Sequence, residues 1–281
     1  MTECTDSPPT VRQFCSCYFG WAKGWWWANL ALKFAAFVLG VLAVFLPQEV
    51  VWLAGVVALL LFCGEVSGIR SGILRSTAES LHRKLDFQNS FEWPISDIEL
   101  ADAVATLSKR ARKRLLKATK ADDYFASTEP AGWKRAMQNL QESAWWSKHL
   151  AGSMANYCLA LTIGLVSGSI AMLVISYLIV SSTEPLASVS RIAISVLLLI
   201  VSLGLIPLTI NYRTFATRCR QSERRATDLL NSSGADSESQ AIKAFNEYHL
   251  ARASAPPLPS LLWKYMERHL NETWKQYMNR Q

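Results

Sequence analysis

Two charged side chains interrupt stretches that otherwise carry no charge. Lys33 lies within WWWANLALKFAAFVLGVLAVFL, residues 25–46, and Glu65 lies near the end of VVWLAGVVALLLFCGEV, residues 50–66. An isolated ammonium or carboxylate among apolar residues is costly, so such groups face a partner or water. If the two stretches form an antiparallel helical hairpin, Lys33 sits about two turns from one end and Glu65 approaches the same end. The two can then pair. One reading is a static ion pair, or snorkelling towards a membrane surface. The sharper reading is that separating the pair lets both line a water-filled path.

A second concentration of charge is basic: Lys109, Arg110, Arg112, Lys113, Arg114, Lys117 and Lys120 occupy the last turns of a helical pattern. Cations there complement the helix dipole, and a basic face near an anionic bilayer is attracted to lipid headgroups. The alternative is recognition of a phosphorylated ligand. The membrane-surface reading is preferred, because each basic residue at such a surface contributes about 1 kcal/mol.

Other chemistry is poorly supplied. The six cysteines are Cys4, Cys15, Cys17, Cys63, Cys158 and Cys219, and the four histidines are His82, His149, His249 and His269. They show no metal-ligand spacing, so no metal site is expected, although Cys15 and Cys17 offer themselves for acylation. A Gly-rich phosphate loop, a Ser nucleophile elbow, paired carboxylates and a zinc-binding histidine pair are all missing from the sequence, which argues against an enzyme. A transporter is disfavoured because four helices are few and no span looks discontinuous.

These residues must be positioned by helices. Hydrophobic residues make up 51% of the 281, and they gather in four blocks: 25–46, 50–66, 157–180 and 191–210. Each approaches the roughly 20 apolar residues that span a hydrocarbon layer about 30 Å thick. They are apolar all round rather than striped, unlike the helices of a soluble bundle. The expected fold is therefore all-α, an integral membrane protein of two transmembrane hairpins with helical extensions.

Lys and Arg set the orientation. The short connections, Pro47 to Glu49 and Ser181 to Ser190, hold none, whereas residues 67–156 hold fourteen and 211–281 hold eleven. Both long segments, residues 1–24 and both termini are thus expected in the cytoplasm, the spans in a bacterial inner membrane, and the cysteines reduced. The Asn-x-Ser/Thr patterns at Asn231 and Asn271 then face the wrong side for glycosylation. Trp25 to Trp27, and Trp145 with Trp146, read as aromatic belts at the interface.

Ile69, Ile73, Thr77, Leu81 and Leu85 continue the second helix as a stalk, which breaks between Asn89 and Pro94. Ser96 to Glu99 has the form of a capping box before a helix bearing Ile98, Ala101, Val104, Leu107, Ala111 and Leu115. A turn region over 121–132 precedes a helix through Met137, Leu140 and Ala144 that feeds the third span. Pro207 is placed to kink the fourth span, which continues to Asn231, and helices follow around 242–253 and over 261–278. Gly64-x-x-x-Gly68, Gly68-x-x-x-Gly72 and Gly164-x-x-x-Gly168 permit close helix approach, either within the bundle or between copies.

The two-plus-two layout with an insert of about ninety residues, Asp123-Tyr124-Phe125 followed by NLQESAWWSKHL, and the tail EYHLARASAPPLPSLLWKYMERHLNE together resemble the SMODS-associated four-transmembrane effector family of bacterial antiphage systems. Tyr124 and Phe125 stand where that family tends to show Trp and Tyr, and Glu142 where Arg is more usual. The resemblance implies a protein held inert until a cyclic di- or trinucleotide triggers homo-oligomerisation and permeabilisation of the membrane, with no DNA or RNA partner. The ligand would be sought where Asp123, Tyr124, Arg135, Asn139, Gln141 and Glu142 converge. Tyr can stack on a base, Arg can meet a phosphate, and Asn or Gln can read a base edge. The alternative is that Asp123 caps a helix and the others pack or face solvent.

Overall fold

The computed structural model describes residues 11–43, 52–105, 127–179, 183–232 and 237–278. Among these there is no strand. Eight helices follow in order: α1 Val11–Ala43, α2 Trp52–Phe91, α3 Asp97–Ala105, α4 Trp133–Ile179, α5 Thr183–Ser202, α6 Leu205–Asn231, α7 Ser237–Ser254 and α8 Ser260–Met278. Four stretches are long and apolar enough to cross a membrane: Val11–Ala43, Trp52–Phe91, Trp133–Leu178 and Val189–Asn231. Their most apolar windows are at most 28% buried. Phe62, Ile170 and Leu198 are among the large apolar side chains left exposed on them, which suits an apolar solvent and not water. At 1.5 Å per residue α2 is about 60 Å long, roughly twice a hydrocarbon layer, so much of it must lie outside any membrane it crosses.

The chain divides into two compact units. The first gathers the start of α1 up to Ala22, α2 from Gly72, α3, α4 up to Lys148, α6 from Thr217, and α7. The second gathers the remainder of α1, α2, α4 and α6, with α5 and α8.

In the first unit, Phe14, Cys15 and Tyr18 of α1 form a buried cluster with Ala78 and Leu81 of α2. The residues before Trp25, which sequence alone left without an element, are therefore helical from Val11 and contribute core. Their apolar spacing, 11, 14, 15, 18, is short and partly aromatic, and the cysteines within it drew attention to chemistry over packing. Ala136, Met137, Leu140, Ala144 and Trp145 line one buried face of α4. Trp145, at 7% exposure, thus belongs to the interior of this unit and does not serve the aromatic belt expected of it. It meets Trp146 edge to face with 5.7 Å between ring centres.

The buried side of α2 is largely polar. Ile69 and Ile73 are 63% and 58% exposed, whereas Ser71, Glu79, His82, Asp86 and Ser90 are buried alongside Ala78 and Leu81. Leu81 of the apolar stripe is buried with them while Ile69 and Ile73 are not, and the buried carboxyls of Glu79 and Asp86 meet Arg252 and His249 of α7. The helix runs to Phe91 and ends at Glu92, whose φ of 56° lies in the left-handed region and whose amide donates to the Gln88 carbonyl at 2.9 Å. This is the C′ position usually given to glycine. Ser96 directly precedes α3 as a capping residue should, but the Glu99 carboxylate lies 2.7 Å from Lys84 Nζ.

In the second unit the expected kink at Pro207 falls earlier, at Leu203–Gly204. There α5 stops, Gly204 takes φ 63°, and α6 begins with the Leu208 amide donating to the Gly204 carbonyl at 2.9 Å. Pro207 sits in the first turn of α6, where its missing N–H costs nothing and its ring has no preceding helical carbonyl to strike. The fourth apolar stretch is discontinuous after all, which overturns the reading that no span is broken. A Ser-Leu-Gly step inside an apolar run gave little warning of it.

Candidate functional site

The second unit seats the charged pair. Lys33 Nζ lies 2.8 Å from Glu65 Oε1 and donates to the Ser202 carbonyl at 2.8 Å. Ser202 is the last residue of α5, and the break at Leu203–Gly204 removes the amide that would have continued the helix onto its carbonyl. The Lys33 ammonium takes that place. It is 8% exposed, whereas the Glu65 side chain is 67% exposed. The pairing read from the sequence is present, and Ser202 is a third member that hydropathy could not reveal.

Two glycines make room for this seat. A Cβ at Gly64 would lie 3.3 Å from Lys33 Cγ, and one at Gly68 would lie 3.2 Å from Asn29 Nδ2. The Gly64-x-x-x-Gly68 spacing therefore accommodates the polar edge of α1 within the chain. Gly72, Gly164 and Gly168 have nothing within 4 Å of such a Cβ. Beside Lys33, an apolar cavity of about 140 Å³ is lined by Phe37, Val57, Leu61, Leu198 and Leu199.

The first unit holds a different constellation, missed in the sequence: Arg75, Glu79, His82 and Asp86 on α2 face His249 and Arg252 on α7. Glu79 meets Arg252 Nε at 3.3 Å and Arg75 at 3.9 Å, and Arg75 also donates to the Arg252 carbonyl at 3.1 Å. Asp86 Oδ2 lies 3.5 Å from His82 Nε2 and 3.6 Å from His249 Nε2. These separations are long for charge-assisted hydrogen bonds, and His249 Nε2 has no hydrogen-bond partner among the described residues. Phe245 packs 4.8 Å from His249, centre to centre, and Phe19 packs 6.0 Å from His82.

Burial therefore dominates the titration of this cluster. It raises Asp86 to about 7, with Glu79 adding to the shift and Arg252 and Arg12 opposing it. It lowers His249 to about 3, helped by Arg252 and Arg83. His82 falls well below its usual value through burial, then Arg252, His249 and Arg12. At neutral pH the imidazoles are uncharged, and burial holds the Asp86 carboxyl towards its protonated form. The signal that would have found the cluster is i,i+4 spacing, 75/79 and 82/86, on the polar side of the stalk. A search for histidines near cysteines passes over it.

Among the described residues no group of His, Cys, Asp and Glu is arranged to hold a metal ion. Cys15 is buried, and burial, with Asp86 next, pushes its thiol up to about 12. It is neither nucleophilic nor accessible for acylation, which leaves Cys17 of that pair.

The structure describes only some of the residues sought for ligand binding. Lys109, Arg110, Arg112, Lys113, Arg114, Lys117, Lys120, Asp123 and Tyr124 lie outside the described residues. Arg135, Asn139 and Glu142 fall at i, i+4 and i+7 on one face of α4, where Arg135 Nε and Asn139 Oδ1 are buried without a hydrogen-bond partner among the described residues. Asn139 is 1% exposed and donates to Ser90 Oγ at 3.1 Å, close to where the Gly132 amide meets the Ser90 carbonyl. Gln141 donates to Thr227 Oγ1 of α6 at 2.9 Å. Arg135 and Glu142 are half-buried. Asn139 and Gln141 thus tie α4 to its neighbours. No family model, curated protein or solved structure matches the chain.

Proposed function

We propose that the chain is a bacterial inner-membrane effector, with both termini and the first unit in the cytoplasm, that responds to a cytoplasmic signal by assembling and permeabilising the bilayer. The observation that carries this reading is the Lys33–Glu65 pair among apolar helices, with Lys33 seated on the carbonyl at the break between α5 and α6. A charged pair there is expensive unless it does something, and separating it would expose two charges and a free carbonyl to whatever water enters. The heavy bias of Lys and Arg to two segments of the chain supports cytoplasmic sensing. A cyclic di- or trinucleotide as the signal rests on the resemblance of the Asp123-Tyr124-Phe125 element and the tail, and assembly into a homo-oligomer rests on it too.

A second reading, a non-conducting scaffold that binds a protein, draws on Trp93 and Ile98 of the first unit, 48% and 73% exposed. Dye release from liposomes holding the purified protein separates the two. Leak on adding one of a panel of cyclic oligonucleotides supports the effector. Tight binding of a protein partner with no leak under any ligand sinks it.

A further inference from the structure

The second unit contains one helix that is not among the apolar stretches. α8 follows the Pro256 to Pro259 turn and is fastened at its beginning: Tyr212 donates to the Pro257 carbonyl at 2.6 Å and Lys23 Nζ donates to Ser260 Oγ at 3.1 Å. Both anchoring residues stand at ends of apolar stretches. Lys23 precedes Trp25, Trp26 and Trp27, of which Trp25 and Trp27 are 41% and 47% exposed, and Tyr212 follows the run that ends at Ile210.

The surface of α8 is unevenly composed. Leu262, Leu270 and Trp274 are buried on one face, while Leu261 and Tyr265 stand 71% and 78% exposed, with the half-exposed Trp263 between them. Beyond Tyr265, as far as Gln276, the exposed side chains are polar or charged, including Arg268, Glu272, Thr273 and Lys275. Among the described side chains of α8, the exposed apolar and aromatic groups are thus confined to the fastened end, which the Lys23 hydrogen bond holds close to the start of the Trp25 to Trp27 run. Amphipathic rings at such a boundary are typical of the headgroup layer.

We infer that the first two turns of α8 are immersed in the headgroup layer of a phospholipid bilayer, with Leu261 and Tyr265 reaching below the phosphates and Lys264 offering them its ammonium. This rests on the membrane reading of the apolar helices. It adds a lipid contact outside the spans, made by a helix that composition alone assigns to water.

Site-directed spin labelling of the full chain in phospholipid vesicles tests it, in a background whose accessible cysteines are replaced by serine. Labels are placed singly at Tyr265→Cys, Leu261→Cys, Thr273→Cys and, as the span reference, Ile170→Cys, which is 57% exposed on α4. Collision with a water-soluble nickel reagent should be about threefold lower at 265 and 261 than at 273, and lowest at 170, as expected for an interfacial helix and a span. Collision at both 265 and 261 equal to that at 273, with 170 still protected, overturns the α8 proposal and leaves the spans intact. Free collision at 170 overturns the membrane reading, and the proposal with it.

Discussion

Asp86 Oδ2 lies 3.6 Å from His249 Nε2 in the interior of the first unit, and burial drives both groups towards their uncharged forms. Near pH 5 the unfolded chain carries protons on His82 and His249 and few on Asp86. The folded chain carries one on Asp86 and none on the imidazoles. The unfolded state therefore holds about one proton more, so stability falls on acidification by about 1.4 kcal/mol per pH unit from this cluster. The lowered histidines contribute stability present above 6.5 and lost as pH falls, while the raised Asp86 contributes stability present below 3.8 and lost as pH rises towards 7. Asp86→Asn removes the compensating proton, and the acid-side slope should roughly double. Denaturant unfolding followed by circular dichroism at pH 5 to 8 measures it, and an unchanged slope would show that Asp86 is ionised in the folded chain.

Lys33→Leu deletes the donor that holds both Glu65 and the Ser202 carbonyl. On the proposed function, the variant should insert into membranes as the parent does and lose the toxicity that the effector reading predicts on expression, with Lys33→Arg retaining a part. Undiminished killing by Lys33→Leu would remove the pair from the proposed mechanism.

At the glycines, Gly72→Ala, Gly164→Ala and Gly168→Ala add a methyl group to open space and should raise stability by up to about 1 kcal/mol through helix propensity alone. Gly64→Leu and Gly68→Leu must displace Lys33 or Asn29 and should lower the melting temperature in detergent. If the Gly164 pair is instead an interface between copies, its alanine variants would lower the assembled mass without destabilising the monomer, and light scattering distinguishes this.

Glu92 adopts φ 56° at the end of α2, a conformation that costs a side-chain-bearing residue roughly 1–2 kcal/mol. Glu92→Gly should stabilise the chain by about 1 kcal/mol. A loss of stability would mean that the Glu92 side chain makes a compensating contact.

Asn139→Ala should cost about 1–3 kcal/mol, since Ser90 Oγ loses a buried partner and the start of α4 is untied from the end of α2. The loss should appear without any ligand present. Normal stability combined with lost signal response would restore Asn139 as a recognition residue.

The four apolar stretches and the Lys33–Glu65 pairing were legible because hydropathy runs and isolated charges are one-dimensional signals. The polar side of α2 was not. Ile69, Ile73, Leu81 and Leu85 form a fair stripe, and only the facing surface of α7, some 160 residues away in the chain, determines that Glu79, His82 and Asp86 turn inward. The site of the helix break was hidden for a related reason. Pro207 attracts attention, yet a proline in a first turn is benign, and the interruption rests on Gly204 adopting a left-handed backbone. Asn139 and Gln141 looked like base-reading amides because their chemistry is identical whether the partner is a ligand or Ser90 and Thr227.

Broken membrane helices elsewhere commonly offer their freed carbonyls to a diffusible cation. Here the carbonyl freed at Ser202 is met by an ammonium that the chain itself supplies. A tethered cation cannot be diluted away, exchanged for sodium or removed by a chelator, so this site is filled at every ionic composition. A displacement of α1 against α5 empties it, which makes occupancy a measure of mechanical state and not of concentration.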